Sequence, residues 1–427
     1  MIGSGGREHA LCAALAADDA VTQLCCAPGN PGIAELAEIA TVDLAQPAQI
    51  AELARGWRAD LVVIGPESPL VAGAADVVRS AGIPCFGPSV AAARMEGSKS
   101  FAKQIMSRAG VLTAAFRTCE TMAEATQALG EFGAPYVVKD DTLAAGKGVV
   151  VTLDRDMALN HAMACERVVI EQYLDGPEVS LLVITDGQAA LPLLPVQDFK
   201  RVGDADTGPN TGGMGAYCPL PWAPADLTQQ VMDSVVHPTL AALRDNGTPF
   251  TGLLYVGLAL TSGGPKVVEF NARFGDPEAQ AVLPLLATGL GGVLYAAATG
   301  ALAQQPPLQW RTQSAVTVVL AAHGYPEDAR LGDVITGEIM ADASQRNEDT
   351  MVFHAGTVRG ADHLLRTSSG RVLAVTGLGT DLPQARDRAY QAAKAIDFDG
   401  AHFRTDIASK AINGELAKAG STGAARR

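Results

Sequence analysis

The sequence predicts a multidomain protein in which an α/β unit on a parallel sheet is followed by α+β units. Three observations carry that expectation. The length, 427 residues, at roughly 100–200 residues per domain admits two to four domains. Residues 1–95 alternate short apolar runs with helical patterns, which is βαβ order. From residue 99 onward many apolar runs adjoin glycine turns, some at hairpin spacing, which favours antiparallel sheet. Hydrophobic residues make up 48% and charged residues 18%, a globular composition. A formal net charge of −14 argues against nucleic acid or an anionic membrane as partner.

In the first unit, residues 21–27 and 61–64 are strand candidates, and 7–16, 48–55 and 70–81 are helical. Ligands of such sheets bind at the carboxyl ends of strands, here the loops 3–6, 27–30 and 65–67. The second stretch offers strands over 136–139, 149–151, 168–172, 179–184, 251–260 and 266–271. The third offers strands over 315–321 and 372–375, a helix over 382–395, and a small, polar tail from about 418 that is expected to be disordered. Residues 279–310 carry no charged side chain, but glycines and a Gln304-Gln305-Pro306-Pro307 run break them. Two short buried helices are expected there, not a bilayer span. The N-terminus fits no secretory signal, and seven cysteines without a CxxC pair read as reduced thiols of a cytoplasmic protein.

Two familiar motifs fail. Gly3-Ser4-Gly5-Gly6 opens a helix, but a dinucleotide fingerprint would need glycine where Glu8 stands. A glycine turn feeding a helix still suits a phosphate through free backbone N–H groups. Gly146-Lys147-Gly148 is not a Walker loop, which would need Gly at 141 and Ser or Thr at 148, where Asp141 and Gly148 stand. What remains is a small-residue loop between two strands, with Lys139 and Lys147 on it, suited to close over a triphosphate.

Val267-Val268-Glu269-Phe270-Asn271-Ala272-Arg273 carries the sharpest chemistry. On a strand, Glu269, Asn271 and Arg273 share one face, with Val268, Phe270 and Ala272 on the other. A carboxylate and an amide oxygen suit Mg²⁺, and an adjacent guanidinium suits an anionic substrate. Residues 197–216, rich in Gly, Asp, Asn and Thr, read as a long functional loop. Lysine is scarce: nine of the 32 basic residues. Four of the nine, at 99, 139, 147 and 200, fall in these motifs, as expected where a compact point charge is needed.

With these motifs in order, together with Gly65-Pro66-Glu67-Ser68-Pro69-Leu70, Glu96-Gly97-Ser98-Lys99 and Arg273–Gln280, the chain resembles the glycinamide ribonucleotide synthetase family of the ATP-grasp superfamily over residues 1–410. The resemblance implies an N-terminal parallel-sheet domain (1–98), a central ATP-grasp domain (99–113 and 170–306), a small lid domain (114–169) and a C-terminal α+β domain (307–427). It implies ATP-dependent joining of glycine to 5-phosphoribosylamine through glycyl phosphate, in a cytoplasmic monomer using Mg²⁺ or Mn²⁺. Two alternatives stay open: another ATP-grasp carboxylate–amine ligase, and a non-catalytic nucleotide-binding protein.

By the same resemblance Lys99, Lys139 and Lys147 would hold the ATP phosphates, Glu171 would meet adenine at the inter-lobe hinge, and Glu178 the ribose. Glu269 and Asn271 would bind the metal, and Arg273 the acyl phosphate or glycine carboxylate. Arg273, Lys147 and Asp198 form the expected catalytic set. Asp198, Lys200, Gly212 and Gly213 would make the acceptor side, and Gly5, Gly6, Asn30, Glu67 and Asp276 are further substrate contacts. The chain departs from the family in three places. Only Met1-Ile2 precede the first glycine loop, Asp140 and Thr142 replace the family's Ala and Gly after the lid lysine, and the lid is shorter between Val151 and Val168.

Overall fold

A computed structural model describes residues 1–142, 148–337 and 349–416. Lys147 and the tail from 418 lie outside them.

Short apolar runs separated by helices can pair only side by side, and the first unit does so. Strand Ile2–Gly3 pairs in parallel with Cys25–Pro28, which pairs in parallel with Glu38–Ile39. Ile2 also bridges to Ile64, next to the parallel pair Val62–Val63 and Cys85–Phe86. The strand expected over 21–27 starts late, because the Val21 N–H turns back onto Asp18 O. The helix expected over 70–81 is two, Glu67–Val71 and Ala74–Ser80. Gly73 divides them at φ 94°, a left-handed conformation that glycine adopts without penalty. The break sets Glu67 in the first turn of its own short helix, facing the later domains.

Residues 116–171 make a separate four-stranded antiparallel sheet, in the order Phe116–Cys119, Val168–Glu171, Tyr136–Asp140, Val149–Thr152. Helix Met122–Phe132, capped reciprocally by Thr121 and Glu124, and helix Arg155–Met163 bury Ala125, Ala128, Leu129 and Ala158 against Val138 and Ile170.

The central sheet runs Ala190–Pro192, Glu178–Thr185, Gly252–Thr261, Gly264–Asn271, all antiparallel. Helices Lys99–Ala109 and His237–Asp245 cover it through Phe101, Ile105, Leu240 and Leu243. The uncharged stretch after 279 forms helices Glu278–Val282 and Leu290–Thr299. Among the described residues no helix is long and apolar enough to cross a membrane.

The long loop expected over 197–216 is instead largely strand. Arg201–Gly203 and Thr207–Asn210 form a hairpin. Its flanks, Gln197–Asp198 and Gly215–Cys218, join a five-stranded sheet with Ser314–Ala321, Arg371–Gly379 and Thr350–His354. Ala216 and Cys218 are buried in that sheet, which supplies the apolar burial that a free loop would lack. The expected boundary near 307 is therefore crossed by a continuous sheet, and helix Leu382–Lys394 closes one face of it.

Candidate active site

One cavity of about 730 Å³ lies where these units meet. Of the expected site residues, Glu67, Lys99, Lys139, Glu171, Glu178, Asp198, Lys200, Gly212, Glu269, Asn271, Arg273 and Asp276 line it.

Lysines from two elements line it. Ser98 caps helix Lys99–Ala109 and so places Lys99 at its mouth. Lys99 Nζ donates to Thr142 O at 3.2 Å. Burial pushes the Lys99 ammonium below its usual range, partly opposed by Glu269. Lys139, near the end of strand Tyr136–Asp140, donates to Val268 O at 2.9 Å and lies 2.9 Å from Glu171 Oε2. Glu171 is 3% exposed, and its carboxylate also faces Lys103 at 3.0 Å. The acid expected to meet adenine is thus held between two lysines, although its Oε1 accepts no aligned hydrogen bond. Gln172, Tyr173 and Leu174 continue the wall. Glu178 accepts from Lys200 at 2.6 Å.

The strand Gly264–Asn271 lines the cavity as well. A bulge opposite Gly257 and Leu258 adds a residue at Val268 and resets the alternation. Val267 and Phe270 are buried, while Val268 lines the cavity rather than sharing the buried face with Phe270. Glu269, Asn271 and Arg273 still reach the cavity together. Burial opposes ionisation of Glu269, but Lys200, Lys139, Lys99 and Arg273 outweigh it and hold the carboxyl below its usual range. The Asn271 amide makes no side-chain hydrogen bond among the described residues. No group of three His, Cys, Asp or Glu that could hold a metal occurs among them. An ionised carboxylate next to an uncommitted amide oxygen fits a hard cation that completes its shell with phosphate and water.

Arg273 is anchored 3.0 Å from Glu96 Oε1 and 3.4 Å from Glu67 Oε2. Burial would lower its basicity, but Glu96 and Glu67 raise it above the ordinary value. Glu96 also accepts the Ala272 N–H at 2.8 Å, fixing the backbone just after Asn271.

Asp198 and Lys200 precede the hairpin strand Arg201–Gly203, and Lys200 lies 3.9 Å from Glu269 Oε1. Burial raises the Asp198 carboxyl to about 7, Lys200 opposing and Glu278, Glu178 and Glu269 adding to the rise. Tyr255 bridges Ser180 and Glu278 through its hydroxyl. Gly213 has φ 113°, and a Cβ there would run into the Pro277 ring. It backs the cavity wall. Arg371, from the C-terminal sheet, donates to Gly212 O at 2.7 Å and to Asp276 O at 2.6 Å, and lies 3.3 Å from Asp276 Oδ1.

The first glycine turn differs from expectation. Gly5 N–H donates to Glu8 Oε2 at 2.6 Å, and Arg7 N–H to Asp276 Oδ2 at 3.2 Å. The anion at this helix start is Asp276, so these two N–H groups are not free for a phosphate. A Cβ on Gly6 would strike Gln280, so that glycine serves close packing. Asn30 spends its whole side chain internally. Its Nδ2 donates to Ser4 O and His354 O, both at 2.8 Å, and its Oδ1 accepts from Gly32 and Ile33, both at 3.0 Å. A ligand could meet only its backbone.

Arg7, Glu96, Lys103 and Arg371 line the cavity but were not singled out from sequence. Lys103 had a signal: it follows Lys99 by one helical turn, on the same face. Arg371 had none, since only the C-terminal sheet brings it here.

A cavity between a lid sheet and a central antiparallel sheet, lined by lysines together with Glu269, Asn271 and Arg273, defines an ATP-grasp enzyme, which uses ATP with a divalent metal. The fold is shared with Campylobacter jejuni biotin carboxylase, TM-score 0.72 at 14% identity, over 94% of this chain and 92% of that one. The chain belongs to the phosphoribosylglycinamide synthetase family. The family's N domain matches residues 1–96, its ATP-grasp (A) domain 97–279 and its C domain 315–410. A phosphoribosylamine–glycine ligase of Streptomyces coelicolor is 58% identical over 96% of this chain and 98% of its own. The crystal structure of a Thermotoga maritima phosphoribosylamine–glycine ligase superposes with a TM-score of 0.81 at 32% identity, over 95% and 98% of the two chains.

Proposed function

We propose that this chain is a phosphoribosylamine–glycine ligase: it joins glycine to 5-phosphoribosylamine with cleavage of ATP to ADP and phosphate, giving glycinamide ribonucleotide in de novo purine biosynthesis. The observation that supports this best is the set of groups gathered on one cavity. Lys99, Lys139, Lys200, Glu269, Asn271, Arg273 and Asp198 all line it, with Lys200 2.6 Å from Glu178 and 3.9 Å from Glu269.

The chemistry follows from that set of groups. A carboxylate becomes an acyl donor only when one oxygen is made a leaving group. Lys99 and Lys139 bind and orient the triphosphate, with Lys147 on the adjoining segment. Arg273, charged and fixed by Glu67 and Glu96, holds the glycine carboxylate in line with the γ-phosphoryl. Attack yields glycyl phosphate, and the ribosyl amine then displaces phosphate. Phosphoryl transfer of this kind needs positioning and charge neutralisation more than covalent help. Mg²⁺ or Mn²⁺ on Glu269 and Asn271 would supply neutralisation at the phosphates. Asp198, whose carboxyl is raised, would take a proton from the attacking amine, while Lys200 and the Gly212–Gly213 backbone would form the acceptor side. The backbone after Glu171 would meet adenine and Glu178 the ribose, and Gly5, Gly6, Asn30, Glu67 and Asp276 would frame the phosphoribosylamine side. The domains would be 1–98, 99–113 with 170–306, 114–169 and 307–427, the second and last joined through the five-stranded sheet. We also place the protein in the cytoplasm as a monomer; seven free thiols fit a reducing compartment.

The test is direct. With ATP, Mg²⁺, glycine and phosphoribosylamine the purified protein should release phosphate only when glycine is present, and Glu269→Ala should abolish turnover with the fold intact. Glycine-independent phosphate release, or a better acid than glycine in a substrate panel, would refute the assignment.

A further inference from the structure

One buried cation, Lys103, has no part in the scheme above. Lys103 is 2% exposed on helix Lys99–Ala109. Its Nζ lies 3.0 Å from Glu171 Oε1, donates to Thr113 Oγ1 at 2.7 Å, and stands 5.2 Å from the centre of the Phe116 ring. Thr113 in turn donates to Val267 O at 2.6 Å. Lys139 holds the other oxygen of Glu171 and the carbonyl of Val268. Two lysines and one carboxylate thus tie the helix of Lys99, the lid strands and the strand of Glu269 together.

Burying an ammonium is costly, and an apolar side chain would fill the same space more cheaply unless the charge serves a purpose. Charge counting supplies one. Glu171 with Lys139 alone would be neutral, so an arriving triphosphate would meet a lysine already cancelled. With Lys103 the cluster carries one net positive charge, and each lysine takes one carboxylate oxygen.

We infer that Lys103 is a positioning residue for ATP: by sharing Glu171 with Lys139 it leaves one net positive charge on the cavity wall that Lys139 lines, so that the cluster attracts polyphosphate. This rests on the reading of Lys139 as a phosphate ligand. Titration supports it from a separate direction. Burial lowers the Lys103 ammonium to about 8, Glu171 opposing and Lys139 adding to the fall; these are the charged groups that face it from the two lid strands. Lys103 would therefore lose its charge just above neutral pH.

The experiment compares wild type, Lys103→Met, Lys103→Arg and Lys139→Met, each checked for folding by thermal melting. The KM values for ATP and for glycine are measured from about pH 6.5 to 9.5, spanning the lowered lysine. Loss of a charge-assisted contact should raise the KM for ATP about tenfold in Lys103→Met, with the KM for glycine unchanged. Wild type should lose more ATP affinity above pH 8 than Lys103→Arg, in which the lowered Lys99 ammonium alone remains. An unchanged KM for ATP in folded Lys103→Met, or equal changes for ATP and glycine, overturns the inference. If Lys103→Met does not fold, a Lys103→Arg enzyme that keeps the wild-type alkaline rise overturns it. If Lys139→Met leaves ATP use intact, the phosphate reading of Lys139 falls instead.

Discussion

Replacing Asp141 by alanine should loosen the mouth of the cavity by an amount that can be worked out. Asp141 is 5% exposed and follows the lid strand that carries Lys139. Its Oδ1 accepts the Ser100 N–H at 2.6 Å and the Ser98 hydroxyl at 3.3 Å, and its Oδ2 accepts the Ser100 hydroxyl at 2.7 Å. Arg167 Nε lies 3.2 Å from Oδ2 but is half exposed, so it adds little. Two short bonds to a carboxylate are worth about 1.5–3 kcal/mol each, and water entering the gap returns part, leaving a loss of about 3 kcal/mol. In a multidomain chain this appears as local opening rather than as one global transition. Hydrogen exchange at Ala102, whose N–H closes the first helical turn on Ser98 O, should quicken about a hundredfold, since about 1.4 kcal/mol is a factor of ten. Asp141→Asn keeps one acceptor for Ser100 and should lose less. Because Lys99 sits on that turn, the KM for ATP should rise in parallel. Wild-type exchange in the alanine variant, or equal damage from Asn and Ala, would refute the capping argument.

Arg371→Ala removes the donor shared by Gly212 and Asp276; kcat/KM for phosphoribosylamine should fall by more than about tenfold while ATP binding by calorimetry holds. Arg371→Lys should not restore it, because a point charge cannot span the carbonyls that the guanidinium fork reaches. Asp198 has its carboxyl raised from 3.8 to about 7 in the folded protein. The favourable contribution of its neutral form is therefore full below 3.8 and lost as pH rises through about 7. Asp198→Asn should melt above wild type at alkaline pH, with the gap shrinking toward acid. A gap constant with pH would count against a buried, titrating Asp198.

What could be read from sequence was what depends on neighbours along the chain. Glu269, Asn271 and Arg273 share a face because strand geometry repeats every second residue. Val268 escaped that rule because its bulge arises from register against Gly257 on another strand. The glycine turn at 3–6 looked ready for a phosphate, but its N–H groups are taken by Glu8 and by Asp276, and Asp276 arrives only through the fold. The 197–216 segment read as loop because its partner strand, Ser314–Ala321, lies far along the chain. Lys103 was visible as a cation one turn after Lys99, but the carboxylate that gives it meaning sits on a lid strand.

The five-stranded sheet also sets an order of manufacture. Its strand Gly215–Cys218 must wait for Ser314–Ala321, which in turn pairs with Arg371–Gly379. Domains tend to fold as units while the chain emerges from the ribosome, and pairings between distant segments are slow to form. The N-terminal sheet and the lysine-bearing lid can therefore settle early, but the 201–210 hairpin has no complete sheet beside it until most of the chain is made. A nascent or truncated chain ending before Arg371 would hold Lys99, Lys139 and Glu269 without Arg371 or the completed sheet that seats Asp198.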